Sequence, residues 1–188
     1  MSRLWIFIVG VVFSSLVHAD FLDQRLSSIA ANSELTAPFT EIWRADYLDE
    51  DVVNHGSLHF KPPNILVKEI ISPDSLIYTV SGDSVKIQQG EKIQHIKLSS
   101  SPELAMGINT MRMLLRGDRD GLEEMFLIQL RYSDKNFQSW AIELFPRSTY
   151  KKVKIKKITV IGNEDDLREI EVDYVDNSVH ITRISPNE

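Results

Sequence analysis

His55 and His59 are the residues whose spacing first suggests chemistry, because an H-x-x-x-H pair on a helix places two imidazoles on one face, where they can bind zinc. The neighbouring residues, however, alternate, with Leu58 and Phe60 apolar and the positions between them polar. This period of two indicates a strand. Residues four apart on a strand are separated by about 13 Å, too far to share one ion. We therefore predict exposed strand histidines and no metal site.

Acidic side chains cluster at Asp118, Asp120, Glu123 and Glu124. They lie around a predicted helix start, where carboxylates interact favourably with the helix dipole. The sequence contains no cysteine, which excludes thiolate chemistry and disulfide bonds. It also lacks the nucleophile-elbow, zinc-protease, phosphate-loop and dinucleotide-binding motifs. We therefore predict that the protein is not an enzyme and uses no cofactor.

Short strands dominate the elements that must position these residues. From Pro38 onward apolar residues recur with a period of two, as in FTEIWRADYL. Within this stretch Glu41 occupies one of the alternate positions that are otherwise apolar. Turn residues at positions 81–83 and 89–90 indicate tight hairpins. In VKIKKITVIG the apolar parity changes at Lys156-Lys157, which predicts a bulge. The pattern predicts one α+β domain, a long antiparallel meander of about ten strands.

Helices are predicted at the beginning of this meander and in its middle. Apolar residues between Phe21 and Ile29 recur at helical spacing and predict a short amphipathic helix. A second helix is expected between Ser101 as N-cap and Gly117 as terminator, with Pro102 in its first turn. Its predicted core positions are Leu104, Ile108, Met111 and Leu115. A shorter helix is expected to begin at Asp120.

Residues 1–19 have the features of an export signal. A positive MSR start is followed by the ten-residue apolar run LWIFIVGVVF and a small-residue cleavage site at Val17-His18-Ala19. The run is too short to span a bilayer, which needs about twenty residues. We predict cleavage of residues 1–19 and release of residues 20–188 as a soluble periplasmic domain, because no cysteine is present to accept a lipid. The alternative is a short N-terminal helix that is retained.

The mature net charge is about −7, which argues against nucleic acid and anionic membranes as partners. Against this background, one segment is rich in lysine. Either its side chains protect a sheet edge from aggregation, or they dock an acidic partner. The residues are Lys151, Lys152, Lys154, Lys156 and Lys157.

The helix from Leu104 to Leu115 carries additional methionines at Met106 and Met113. Methionine is flexible and polarizable, which suits a surface that must adapt to varied apolar ligands. Ordinary core packing explains these residues equally well.

Three stretches, FTEIWRADY, GSLHFKPPNIL and SPDSLIYTVSGDSVKI, together with the order of elements, resemble the periplasmic lipoprotein carrier family LolA. The likeness extends over nearly the whole mature chain. It implies a half-open antiparallel β-barrel with an apolar concave face, and helices that act as a lid. Two positions differ from the family. Pro62 stands where the family has an arginine that latches the lid, and Leu66 stands where it has an aromatic residue.

The resemblance also implies a function and a ligand cavity. The protein is expected to shield the acyl chains of a lipoprotein, or of another lipid, and to carry it from the inner to the outer membrane. Its partners would be an inner-membrane donor complex and an outer-membrane acceptor lipoprotein. A flexible lid and a cavity without buried charges would permit release. The alternative is a sensor or interaction module that binds lipidated ligands without transport. In both cases a monomer is expected. Candidate lining residues are Trp43, Phe60, Leu66, Tyr78, Met106, Met111 and Trp140; alternatively, these side chains fill a closed core.

Overall fold

Alternating apolar residues form the eleven strands of one antiparallel sheet in this computed structural model, which describes residues 12–31, 35–132, 139–150 and 152–185. The strands are β1 (Leu35–Arg44), β2 (Val52–Lys61), β3 (Ile65–Ser72), β4 (Leu76–Ser81), β5 (Ser84–Gln89), β6 (Lys92–Lys97), β7 (Phe126–Tyr132), β8 (Ser139–Pro146), β9 (Ile155–Asn163), β10 (Asp166–Tyr174) and β11 (Val179–Ile184). Within the described residues, three α-helices accompany them: α1 (Val12–Ala31), α2 (Pro102–Arg116) and α3 (Arg119–Met125).

Strand order in the sheet is β6-β5-β4-β3-β2-β1-β11-β10-β9-β8-β7. Successive strands pair as hairpins, and the two halves are joined by β1 against β11, with Phe39 opposite Ile184. The sheet is not closed, because β6 and β7 remain as its two edges. The predicted α+β half-barrel is thus confirmed. No helix in the described segments is both long and apolar enough to cross a bilayer.

The predicted turns and the predicted bulge are also present. Gly82 and Gly90 have φ values of 57° in their hairpin turns, and Gly117 ends α2 with a φ of 66°. Positive φ values of this size are readily adopted by glycine. On β9, Lys157 lies opposite Asp173 and Ile155 opposite Tyr174, so the residue between them, Lys156, is the bulge.

One face of the sheet, here called the inner face, packs against the helices and forms the core. It carries buried side chains from both halves of the sheet, for example Phe39 and Phe60 on one side and Ile142 and Val160 on the other. From α1, the side chains of Leu22, Leu26 and Ile29 complete this core. The helix periodicity predicted for this segment is therefore confirmed for the described side chains.

The antiparallel topology gives the sheet two rims. The corner rim contains the β2–β3 corner at residues 62–64, the β4–β5 turn and the β9–β10 turn. The loop rim, at the opposite strand ends, contains the β1–β2 loop, the β3–β4 turn and the β10–β11 turn. At the corner rim, the Arg25 guanidinium of α1 donates to the Glu164 carbonyl oxygen at 2.7 Å. This bond ties α1 to the β9–β10 turn.

Edge protection by the lysine-rich segment is contradicted by the topology. Lys154 directly precedes β9, and Lys156 and Lys157 lie on it, yet β9 is an interior strand between β8 and β10. The Lys157 ammonium lies 3.5 Å from a Glu143 oxygen and 3.3 Å from an Asp173 oxygen, carboxylates of the two flanking strands. This lysine therefore balances charge across three paired strands.

Candidate functional site

Four of the seven predicted lining residues lie deep in the core, namely Phe60, Leu66, Met106 and Trp140. Phe60 and Leu66 are directly opposite each other on β2 and β3. The other three, Trp43, Tyr78 and Met111, are only partly buried. The structure therefore separates the predicted set into a closed part and a partly open margin.

Trp140 is held by two specific contacts. Its indole N–H donates to the Glu164 carbonyl oxygen at 2.8 Å, and its ring covers Gly162 on the paired strand β9. A Cβ at Gly162 would lie 2.0 Å from a ring atom, so only glycine permits this packing. Trp140 is a fixed part of the core beneath the β9–β10 turn.

Helix α2 has two apolar faces of different burial. On the side where Gly117 meets α1, the side chains of Met106, Thr110, Met113 and Leu114 are buried. Of the predicted core positions on the other side, Leu104, Ile108 and Met111 stay partly exposed while packing against the edge of the core, whereas Leu115 is buried as predicted. The helix was correctly placed by its sequence pattern, but its more buried face is the one that carries Met106 and Met113.

A buried ion pair lies on the inner face, contrary to the expected cavity without buried charges. Glu41 of β1 is 5% exposed and accepts hydrogen bonds from the Lys68 ammonium and from the Asn54 amide, the latter at 3.1 Å. The His180 Nε2 lies 2.6 Å from a Glu41 oxygen. The three partners come from β2, β3 and β11, so the carboxylate joins four strands.

These neighbours determine the charge of Glu41. Burial alone would raise its pKa, but the hydrogen bond with His180 and the charge of Lys68 outweigh this effect and lower the pKa to about 2. The carboxylate is therefore ionised at neutral pH. Lys68 is additionally stabilised by the Phe39 ring, whose centroid lies 5.2 Å from the ammonium.

Aromatic side chains surround this polar cluster. The Trp43 ring lies 5.3 Å from the rings of both Tyr174 and His180, measured between centroids. Burial, with a contribution from nearby carboxylates including Glu41, raises the pKa of Tyr174 to about 12, and the same causes raise the pKa of Tyr78. Both phenols are therefore protonated donors at neutral pH.

Helix α2 is tied across the sheet by Arg112. Its guanidinium donates to the Asn64 carbonyl oxygen at 2.8 Å and to the Gly82 carbonyl oxygen at 3.0 Å, two turns of the corner rim. At the other end of the helix, the Glu103 carboxylate accepts a hydrogen bond from the backbone N–H of Lys154 at 3.2 Å. The corner itself carries Pro62, so the cation comes from the helix and the acceptors from the corner.

With this geometry established, comparison with known proteins identifies the family. The family model described as outer membrane lipoprotein carrier protein LolA-like matches residues 13–185. The chain belongs to the LolA-like family. No match was found among curated protein sequences.

Solved structures that are similar to this LolA-like chain have low sequence identity to it. A DUF1329 family protein from Desulfovibrio piger has 9% identity and a TM-score of 0.51 over 90% of each chain. A LolA superfamily protein from Nitrosomonas europaea has 13% identity and a TM-score of 0.46, covering 89% of this chain and 91% of that one. The lipoprotein LppX from Mycobacterium tuberculosis has 9% identity and a TM-score of 0.45, covering 90% and 98%. Of these three, the Desulfovibrio protein carries the fold comparison.

The loop rim of this LolA-like protein combines exposed apolar and acidic side chains, a feature that the sequence analysis missed. Five apolar side chains are exposed on or beside adjacent strands: Tyr47, Val52, Val53, Ile71 and Val175. The first of them is 70% exposed. Exposed acidic side chains lie among them, namely those of Asp46, Asp49, Glu50, Asp51, Asp74 and Asp176. The signal was present as the DYLDEDVV run at residues 46–53, which leads from the β1–β2 loop into β2, but only the topology brings it beside the other loops.

The two histidines considered as metal ligands lie on the outer face of the sheet. His55 and His59 are on β2, where their rings contact the hydroxyls of Thr40 and Thr36 at 3.1 Å. Within the described residues, no three side chains of ligand type converge on a possible metal site. Among the lysines, Lys152, Lys154 and Lys156 are exposed, and Lys151 lies outside the described residues.

Proposed function

We propose that this protein is a periplasmic carrier that shields the acyl chains of a lipoprotein, or of another lipid, and moves its cargo from the inner to the outer membrane. The observation that carries the proposal is the largely apolar inner face of an open sheet, interrupted by the Glu41 cluster and covered by a helix that hydrogen bonds tie to the sheet. Family membership supports it. The function requires neither a catalytic step nor a cofactor.

The physical need for such a carrier follows from the cost of exposing acyl chains. Each methylene transferred from water to an apolar environment contributes about 0.8 kcal/mol, so one long chain costs on the order of 10 kcal/mol in water. A covered apolar face offsets much of this cost. The partly exposed Leu104, Ile108 and Met111 of α2 and the partly buried Ile87 of β5 offer apolar surface at the margin of the core. A chain could bind there with modest movement of α2.

Export and maturation belong to the same proposal. Cleavage after Ala19 would leave a chain starting at Asp20, and the apolar residues Leu22 and Leu26 would still cover the inner face. Sequencing the N-terminus of protein isolated from the periplasm tests this point. A chain beginning at Met1 would contradict it.

Exchange of cargo requires surfaces for a donor and an acceptor. The loop rim, with its exposed apolar side chains and acidic loops, offers a surface for a partner, whereas Lys152, Lys154 and Lys156 offer a separate basic one. We assign the inner-membrane donor complex and the outer-membrane acceptor lipoprotein to such surfaces. The interaction module without transport remains the second candidate, and the exposed apolar rim is the observation that favours it.

Native mass spectrometry of residues 20–188 isolated from periplasm tests the carrier, followed by transfer of bound cargo to acceptor vesicles. We expect a co-purifying acylated molecule and its movement to vesicles that contain the acceptor. Binding without movement would favour the interaction module. A protein that neither carries a lipid nor takes up added oleate would contradict both candidates.

A further inference from the structure

The Glu41 cluster offers hydrogen-bond donors to the inner face but hardly any acceptor. The two Glu41 oxygens are occupied by Lys68, Asn54 and His180, and the Glu41 side chain is only 6% exposed. The Lys68 and His180 side chains are each 25% exposed. The surface therefore presents the Lys68 ammonium and further polar groups, with the Glu41 carboxylate beneath them.

Lys68 retains donor capacity for a ligand. An ammonium group has three N–H donors, and the bond to Glu41 uses one of them. Tyr78 lies directly opposite on β4, and its hydroxyl has no hydrogen-bond partner among the described residues. The pair presents an ammonium and a phenol on one face of neighbouring strands.

The apolar residues beside Lys68 fix where a bound chain would lie. Leu66 and Ile70, two residues to either side on β3, are buried on the same face. Ile87 lies opposite Tyr78 on β5 and is partly buried. A polar group held at Lys68 therefore places an attached hydrocarbon chain against the apolar surface.

We propose that Lys68 and Tyr78 bind the anionic oxygen group, carboxylate or phosphate, of an acylated ligand whose chain lies along the inner face. The proposal rests on the proposed function, since it specifies the polar end of the same cargo. A cationic head group would meet the Lys68 charge and find Glu41 already occupied. A neutral head group would forgo the charge-assisted hydrogen bonds, which are about twice as strong as neutral ones.

Glu41 has a positioning role in this arrangement. It draws the Lys68 ammonium to the inner face and neutralises it when no ligand is present. Without that carboxylate, a lone ammonium among apolar residues would be costly. The site therefore offers an anion a single shared cation, which suits reversible binding.

The test measures binding of two matched ligand pairs to residues 20–188 by tryptophan fluorescence, below the critical micelle concentrations. Oleate is compared with oleyl alcohol, and didecanoyl phosphatidylglycerol with didecanoylglycerol. Trp43 beside the cluster is the reporter, because Trp140 is buried. We expect the anionic member of at least one pair to bind about tenfold more tightly, the factor that one charge-assisted hydrogen bond supplies. A preference in the first pair identifies a carboxylate and one in the second a phosphate.

Two variants connect the preference to the site. In Lys68→Met, the anionic and the neutral member of each pair should bind with nearly equal affinity. Binding of the neutral ligands should persist. Lys61→Met, the matched control, removes the same charge from an exposed position at the end of β2 and should leave it unchanged. If Lys68→Met fails to fold, the pair Glu41→Gln with Lys68→Met avoids a lone carboxylate and should show the same loss.

The outcomes separate the two proposals. Equal preference in Lys68→Met and Lys61→Met would overturn the anion site and leave the carrier intact, as would equal binding of both members of each pair by the unmodified protein. Failure of all four ligands to bind the unmodified protein would overturn the proposed function itself.

Discussion

Replacing Arg112 by methionine removes the hydrogen bonds that tie α2 to the corner rim while keeping much of the side-chain volume. Arg112 is 6% exposed, and its two terminal nitrogens donate to the Asn64 and Gly82 carbonyl oxygens. Burial, and secondarily the nearby Arg116 charge, lowers the Arg112 pKa, but arginine remains protonated at neutral pH. The change therefore deletes a charged tether.

The expected magnitude follows from these contacts. A hydrogen bond to a charged group contributes about 1.5–3 kcal/mol, so the two bonds set an upper range of about 3–6 kcal/mol. The Arg112 Nε has no partner within the described residues, which offsets part of this gain. The two carbonyls also lie in turns at the rim, where water can replace the guanidinium. We therefore expect a net loss of about 2 kcal/mol in the free energy that keeps α2 closed.

Hydrogen exchange resolved by segment measures this loss directly. Two kcal/mol corresponds to about thirtyfold faster exchange of α2 amides if the helix opens locally. Arg116→Met is the matched control, because Arg116 lies one turn later, is more exposed and bonds to the side chains of Asn64 and Asp118. Arg116→Met should change the exchange rate of the α2 amides by less than threefold. Equal exchange of α2 in the two variants would refute a tether at Arg112.

Three further predictions concern the core and the buried carboxylate. Because the Glu41 pKa is lowered to about 2, its ionisation stabilises the fold above pH 4.5, and this contribution is lost as the pH falls toward 2. Urea unfolding measured across this pH range should therefore show a loss in the free energy of unfolding that is about 3 kcal/mol smaller in Glu41→Gln than in the unmodified protein. Gly162→Ala forces a Cβ against the Trp140 ring and should lower the melting temperature by about 5–10 °C, and an unchanged value would contradict the packing described. Gly107→Ala meets no atom within 4 Å in α2 and should raise stability by up to about 1 kcal/mol in urea unfolding; a loss would show an unrecognised close contact.

Local patterns in the sequence were sufficient for most of the fold. Period-two alternation predicted the strands, and the glycines at positions 82 and 90 marked hairpins that the structure contains. The bulge at Lys156 was predictable because a parity change within one strand has only a few geometric solutions. Gly117 likewise predicted the end of α2. Each of these features is determined by residues close to it in the chain.

The polar interactions of the site could not be predicted in the same way, because their partners are distant in sequence. Glu41 is 27 residues from Lys68 and 139 from His180, and only the β3-β2-β1-β11 order brings them together. A weak signal was nevertheless present. Glu41 is two residues from Phe39 and therefore lies on the same face of β1, and Lys68 lies on the same face of β3 as Leu66 and Ile70. Two opposite charges that each break an apolar face indicate a buried pair, because either alone would be too costly.

Arg112 illustrates why a missing family residue does not imply a missing interaction. Joining a helix to the corner requires a donor on one side and an acceptor on the other, and the backbone at residue 64 supplies a carbonyl whatever its side chain. A proline at position 62 removes a cation from the corner but leaves that carbonyl in place. A cation on the facing helix can then donate to that carbonyl, so that the helix supplies the donor and the corner supplies the acceptor. Comparing a single position with a family pattern shows only which residue stands there. The connection between helix and corner depends on both the donor and the acceptor, and either side can supply the cation.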